Sequence, residues 1–244
     1  MKHLVIGLVP NISTVTMSTW QTLNSWCATQ TVILAIQVKT FSFLPLPLPD
    51  CTYVHLSQDS PEITNTTDRL KRLVMARQYQ RQWLLPAIRN IGFSSVVVVD
   101  LDVVKLPDVK RFFNAQKLLQ NWHIICANGY EWLHGKKQTY DTFALVLRNG
   151  VWMYEHLGLK QKLLFSKISQ NDIFPVRFCF GGMAIYNSSV WQDTRCSYEK
   201  PPRIYIKKNK FCEHLAFQQC LKKFYNLKVT IDSQLFVERA WDPK

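Results

Sequence analysis

The sequence predicts an α/β protein in which helices cover a mostly parallel sheet, and three features carry that prediction. Residues 3–9, 16–26 and 31–38 alternate between apolar strand, helical and apolar strand patterns, the rhythm of a βαβ unit. Residues 96–102 read Val-Val-Val-Val-Asp-Leu-Asp, a β-branched run without polar alternation that suits a parallel strand covered on both faces. Between them lies the longest helical pattern of the chain, opening at the cap residues Asn65-Thr66-Thr67-Asp68.

Taken in order, residues 3–9 are expected as the first strand, 16–26 as a helix and 31–38 as the next strand. Pro45, Pro47 and Pro49 forbid helix and central strand and make 41–50 an extended connector, followed by a short strand at 52–56. In the long helix, Leu70, Leu73, Val74, Leu84, Leu85 and Ile88 form the apolar face and the other faces carry the arginines. Pro86 is expected to kink or end that helix, and Gly92 to mark the turn into the valine strand. A helix follows from Leu106-Pro107-Asp108 to about Gln120, then strands at 123–127 and 142–147. Residues 178–186 read as an apolar strand interrupted by Gly181 and Gly182, 210–224 as a helix with Leu215, Phe217, Cys220 and Leu221 inward, and 227–231 as the last strand.

With 244 residues, 47% hydrophobic and 19% charged, the chain can bury one substantial core, and a single domain over 1–244 is expected. The longest apolar stretches, 31–38 and 96–99, are far shorter than the ~20 residues a membrane helix requires. The amino terminus reads as a strand rather than a signal peptide, so a cytoplasmic protein is expected. Seven widely spaced cysteines without a C-x-x-C pair are expected as reduced core thiols rather than a zinc cluster. The sequons at Asn11, Asn65 and Asn187 are then chance matches.

Lys and Arg exceed Asp and Glu by 30 to 17, giving +13, which implies attraction to nucleic acid, a phosphorylated small molecule or an anionic membrane surface. Lys200, Arg203, Lys207, Lys208, Lys210, Lys222, Lys223 and Lys228 crowd into the last fifth, and Arg69, Lys71, Arg72, Arg77, Arg81 and Arg89 lie together earlier.

Asp100 and Asp102 end the valine run, and a carboxylate pair is costly inside a buried strand, so it belongs where the strand emerges. There, in an open α/β sheet, ligands bind, and Mg²⁺ or Mn²⁺ held by two hard oxygens bridges to a substrate phosphate. Taken alone, the pair is also a common way to end a strand.

The motifs around it add to that reading. Arg69-Leu-Lys-Arg72-Leu-Val-Met-Ala76-Arg77 precedes the acidic pair; Cys126-Ala-Asn128-Gly129 and Tyr140-Asp141-Thr142-Phe143-Ala144-Leu145 follow it. Phe180-Gly181-Gly182-Met183 and Cys212-Glu213-His214-Leu215-Ala216-Phe217 complete the series. In this order the residues resemble the metal-dependent nucleotide-sugar glycosyltransferases of the GT-A fold. The likeness is to the capsule-associated mannosyltransferases of fungi and to glycosyltransferases of large algal DNA viruses. The resemblance implies a GT-A domain with a mostly parallel central sheet flanked by helices and a smaller mixed second sheet. Its nucleotide-binding half spans about 1–105 and its acceptor half about 106–244. It also implies a UDP- or GDP-linked sugar donor, a glycan acceptor and Mn²⁺ or Mg²⁺, with no specific nucleic acid and at most peripheral contact with an anionic membrane.

In that frame the donor-binding residues are Val9, Pro10, Arg77, Asp100, Leu101 and Asp102. Asp102 is the direct metal ligand, while Asp100 touches the metal, directly or through water, or the ribose. Glu213 is the candidate general base, because an inverting transfer needs a carboxylate to take the acceptor hydroxyl's proton; otherwise it is a helix-capping Glu. Tyr140, Asp141, Gly181, Gly182 and His214 are candidate acceptor or sugar contacts, with ligation and plain packing also open for His214. Lys207, Lys208 and Lys210 either close over the diphosphate or form a solvated loop, and Arg72 and Arg77 either serve the donor site or the surface. Trp132, Trp152 and Trp191 are sugar-stacking faces or core. Two other readings stand: a haloacid-dehalogenase-like phosphatase using Asp100 and Asp102, which expects the motif near the amino terminus, and a nucleic-acid-binding protein resting on charge alone.

Overall fold

The computed structural model describes residues 2–11, 15–29, 31–40, 51, 53–133, 136–139, 144–153, 159–199 and 212–239. The connector expected at 41–50 lies outside them. In chain order the elements are β1 (Lys2–Asn11), α1 (Met17–Cys27), β2 (Val32–Thr40), β3 (Tyr53–Gln58), the one-turn α2 (Pro61–Thr64) and the long α3 (Arg69–Ile91). Then come β4 (Phe93–Asp100), β5 (Val103–Lys105), α4 (Val109–Lys117), β6 (Ile124–Leu133), β7 (Lys136–Thr139) and α5 (Leu159–Ser169). The chain continues with β8 (Ile173–Val176), β9 (Met183–Asn187), the one-turn α6 (Ser188–Trp191), α7 (Glu213–Phe224) and β10 (Val229–Arg239).

The described strands form one sheet in the order β3-β2-β1-β4-β9-β6-β10-β5, with β7 added on β6 and β8 on β10. The β1-α1-β2 unit is parallel as its pattern requires, and β3 and β4 extend it in parallel on either side. Beyond β4 the sheet becomes mixed. β9 runs antiparallel to both β4 and β6, and β5, β7 and β8 also pair antiparallel. The expected smaller second sheet is therefore corrected: among the described residues its strands belong to the central one, whose mostly parallel character holds only for the first half.

The valine run explains why the sheet needs cover on both faces. Val96 and Val98 pack into one apolar cluster with Leu215 and Phe217 of α7, while Val97 and Val99 pack into the opposite cluster with Trp20, Leu23 and Trp26 of α1. Each buried valine contributes about 1.5–3 kcal/mol, so β4 is the axis of the core. Helix ends are set by side chains that satisfy otherwise unpaired N–H groups. Thr16 Oγ1 accepts from Thr19 N at 3.2 Å, Asp68 Oδ1 from Lys71 N at 3.1 Å, and Asp108 Oδ1 from Arg111 N at 2.9 Å. Pro86 does not end α3, which runs on to Ile91. Pro86 and Gln82 are both exposed, so the bond lost at the proline falls on the solvent side.

Other departures have local causes. Thr142 and Phe143 lie outside the described residues, and Val146 makes only isolated bridges to Trp152 and Phe178 instead of a strand. β10 continues past the expected 227–231 because its register with β6 shifts between Asp232 and Phe236, resuming beyond a bulge. Residues 178–186 are not one strand. Gly181 (φ 64°) and Gly182 (φ 79°) form a left-handed turn closed by Met183 N donating to Phe180 O at 3.2 Å, and β9 starts only afterwards.

That turn presses against β6. A Cβ on Gly181 would lie 2.3 Å from Ala127 O, and one on Gly129 would lie 2.4 Å from Gly181 O. Both obstacles are backbone atoms. Gly181→Ala is therefore expected to cost about 2–5 kcal/mol, combining left-handed strain with overpacking, as read by urea unfolding. A loss under ~1 kcal/mol would contradict this packing.

The cysteines correct the expectation of reduced thiols. Cys27–Cys51, Cys126–Cys179 and Cys196–Cys220 are disulfides, leaving Cys212 outside the pairs. The partners lie 24, 53 and 24 residues apart, so only the fold brings them together.

Candidate functional site

β4 delivers Asp100 to its carboxyl end, and two backbone bonds hold that tip. Asp100 N donates to Gly182 O at 2.9 Å, and Leu101 N donates to Leu8 O at 3.2 Å. The glycine pair, a candidate sugar contact, brings its backbone against β6 and the acidic tip. Leu101, expected among the donor-binding residues, has a fully buried side chain. It fills the space over Gly7, where a Cβ would lie 2.3 Å from Leu101 Cδ1. Leu101 thereby fixes the turn that presents Asp100 and Asp102.

Arg77 organises the charges. Its Nη2 donates to Asp100 Oδ1 at 2.6 Å, and its Nε lies 3.7 Å from Glu213 Oε1. Glu213 in turn lies 3.4 Å from His214 Nε2. Arg77 is 2% exposed, Glu213 7% and His214 1%, while the Asp100 side chain keeps 26% of its surface open. A guanidinium so deeply buried requires paired carboxylates, and the two it meets come from different elements. Burial pushes the Asp100 carboxyl up to about 7; Arg77 opposes this, Asp102 and Glu213 add to it, and Arg239 opposes it.

α7 places Glu213 and His214 in its first turn. Gln218, on the same helix, accepts from Cys179 N at 3.1 Å and donates to Cys179 O at 2.6 Å, which binds α7 to the segment leading into the glycine turn. The His214 ring stacks on Phe180 with centroids 3.6 Å apart and meets Tyr198 edge-on. Burial and the neighbouring Arg77 hold its pKa well below the usual imidazole range, so the ring is neutral. Neither ring nitrogen has a hydrogen-bond partner among the described residues.

Two arginines of α3, Arg77 and Arg81, are not on its outer faces, whereas Arg89 is exposed. Ala76, Arg77, Gln80, Arg81 and Leu84 are its buried stripe. Arg81 grips main-chain carbonyls: Nε and Nη2 bond Trp191 O, Nη2 also bonds Asp193 O, and Nη1 bonds Cys196 O at 2.8 Å. The i, i+4 and i+7 spacing of 77, 81 and 84 was the available signal, hidden because a periodicity count treats arginine as surface. Arg72 is half-buried on the same helix.

The remaining sequence candidates divide plainly. Val9 and Pro10 lie in the last residues of β1, with side chains outside the described residues. Tyr140, Asp141, Lys207, Lys208 and Lys210 lie outside the described residues altogether. Trp152 and Trp191 are core, whereas Trp132 is exposed and donates to Glu238. What the fold assembles is one cluster of Asp100, Asp102, Arg77, Glu213 and His214 beside the glycine turn.

The donor set at the strand tip fits a hard divalent cation. It offers two carboxylates two residues apart, one of them raised in pKa in part by its acidic neighbours, a repulsion that a cation would relieve. Cys212, Glu213 and His214 also bring ligand atoms within 4.8 Å of one another, all buried. Arg77 sets a positive charge against Asp100 at 2.6 Å and Glu213 at 3.7 Å, so among the described carboxylates of the cluster Asp102 is the one it leaves open to a cation.

No protein-family model matches the chain, and no curated protein is similar to it in sequence. Solved structures do match. The S. aureus TarS 1–349 crystal structure superposes with a TM-score of 0.54 at 14% identity, covering 98% of this chain and 60% of that one. TarS 1–349 in complex with UDP gives 0.54 at 13% identity, covering 100% of this chain and 61% of that one, and the complex with UDP-GlcNAc gives 0.52 at 13%, covering 100% and 60%. The chain thus spans about three fifths of the length of these structures. At such identities the likeness establishes the fold alone, a mixed α/β sheet shared with TarS 1–349. No described helix is long and apolar enough to cross a membrane.

Proposed function

We propose that the chain is a nucleotide-sugar glycosyltransferase that moves a sugar from a nucleoside-diphosphate donor to a glycan hydroxyl with inversion. The observation that supports this most is the bridge made by Arg77 between Asp100, at the tip of β4, and Glu213, at the start of α7. It joins a cation-binding carboxylate pair to a candidate base within one buried network, in a fold shared with TarS, which has been crystallised with UDP and UDP-GlcNAc.

In this reading Asp102 and Asp100 hold Mn²⁺ or Mg²⁺. Bound there, the cation neutralises charge on the departing diphosphate. Glu213 accepts the proton of the acceptor hydroxyl as that oxygen attacks the anomeric carbon from the face opposite the leaving group. Arg77 orients both carboxylates, and the neutral His214 ring, wedged on Phe180, fixes the direction of the Glu213 side chain. The phosphatase reading gains no support from this arrangement, because the carboxylate it would use as nucleophile accepts a 2.6 Å bond from Arg77.

Thermal unfolding with UDP- and GDP-sugars in the presence of Mn²⁺ tests the proposal. A donor at a hundredfold excess over its Kd stabilises by about 2.7 kcal/mol. For a chain of this length that raises Tm by ~5–10 °C, and the same donor should then support transfer. Absence of a shift with every nucleotide sugar, together with release of phosphate from simple phosphomonoesters, would overturn it.

A further inference from the structure

At the edge of the sheet away from Asp100, a cavity of about 450 Å³ is lined by Arg148, Arg177, Lys222 and Lys228, with Asn226 and Trp122 beside them and no carboxylate among the described residues of its wall. The strand register places it. Val229 pairs with Ile124 of β6 and with Val176 of β8, Ile124 pairs with Tyr186 of β9, and Tyr186 pairs with Val96 of β4. The cavity therefore opens near the level of Val96, roughly 13 Å along the strand direction from Asp100.

Four cations around one cavity repel one another, and unit charges 4 Å apart cost about 1 kcal/mol in water and about 4 kcal/mol near a protein surface. The described fold provides no acid in the wall to offset this. Arg177 is half-buried, its guanidinium faces the Phe178 ring at 5.6 Å, and its Nε is buried without a hydrogen-bond partner among the described residues. Burial and the charge of Arg177 lower the pKa of Lys222. The backbone amide of Lys228 donates to His123 Nδ1 at 3.0 Å, so the strand end that carries its ammonium is fixed. Two guanidinium and two ammonium side chains with an indole around one cavity make up a receptor for a multiply charged oxyanion.

We propose that this pocket is a second binding site, for a phosphate-bearing ligand, separate from the acidic tip of β4. Its volume exceeds that of a bare phosphate and admits a phosphoryl group together with the sugar, alcohol or glycerol it esterifies. The phosphate belongs either to a soluble phosphate compound or to a lipid headgroup.

Inorganic pyrophosphate, titrated calorimetrically in EDTA and 0.15 M salt, and phosphatidylcholine vesicles carrying phosphatidylinositol phosphate, assayed by co-sedimentation, distinguish the two sources. The wild type is expected to bind at least one probe. The double variant Lys222→Gln/Lys228→Gln, which alters exposed side chains, should bind it at least tenfold more weakly. Lys167→Gln, an exposed lysine of α5, should stay within twofold of wild type, and so should Asp102→Asn. Pyrophosphate binding alone identifies the soluble source, and vesicle binding identifies the headgroup. No binding of either probe, undiminished binding by the double variant, or an equal loss in Lys167→Gln would overturn the proposal. Failure of the glycosyl-transfer reading would leave these results unchanged, since every arm is measured without divalent cation or donor.

Discussion

Replacing Asp102 with Asn is expected to lower glycosyl transfer ~1000-fold while leaving the protein folded. The side chain is half-buried and makes no hydrogen bond or ion pair with another described residue, so its charge has little structural employment. Its work would be done on the donor. A carboxylate that holds a divalent cation against a departing diphosphate supports several kcal/mol of transition-state stabilisation. At about 1.4 kcal/mol per tenfold, ~4 kcal/mol is a factor of ~1000. Initial rates with saturating donor and Mn²⁺, alongside a thermal unfolding curve, give both numbers. Activity within tenfold of wild type would remove Asp102 from the cation site.

Arg77→Met is expected to be the most damaging substitution to stability, at about 3–5 kcal/mol. Methionine retains much of the volume, so the loss comes from leaving Asp100 and Glu213 without their counter-charge. The pH dependence gives this a signature. In the wild type the Asp100 carboxyl rises from its ordinary 3.8 to about 7, burial being the largest cause. A carboxyl raised in the folded state favours folding most below its unfolded pKa, and that contribution is lost as pH rises from about 4 through about 7. Arg77 opposes the rise, so removing it extends the loss to higher pH. The variant should fall further below wild type at pH 8 than at pH 5 when divalent cations are chelated. A deficit that stays constant across that range would show that Arg77 acts through packing alone.

The parts of the fold legible in the sequence were those that rest on local pattern. The β1-α1-β2 unit and β4 with its acidic end follow from runs of apolar residues, and Asp68, Thr16 and Asp108 mark helix starts by their own chemistry. Strand direction is not local: nothing within residues 183–187 reveals that β9 enters antiparallel between β4 and β6. The glycine pair looked like an interruption of a strand because a turn and a bulge share the same residue preference, and only the approach of β6 decides between them. At the site, Asp100, Asp102 and Glu213 were found as charged residues at element ends. The burial of Arg77 was hidden, since its partners lie 23 and 136 positions further along the chain and become neighbours only when α3 packs beside α7. His214 was recognisable as a candidate, but its stacking on Phe180 depends on a turn the pattern did not reveal.

The disulfide between Cys196 and Cys220 completes a closed circuit. From Arg81 on α3 the path runs through a hydrogen bond to the carbonyl of Cys196, across the cross-link to Cys220, back along α7 to Glu213, and through Arg77 to α3 again. Cys220 and Glu213 are an i, i+7 pair, about two helical turns apart, so they share an azimuth on α7. A pin at the one sets the rolling angle of the other. The bearing of the Glu213 carboxylate is thus fixed when the chain folds and oxidises, and in the proposed mechanism that precedes any encounter with donor or acceptor and leaves little reorganisation for the moment of reaction.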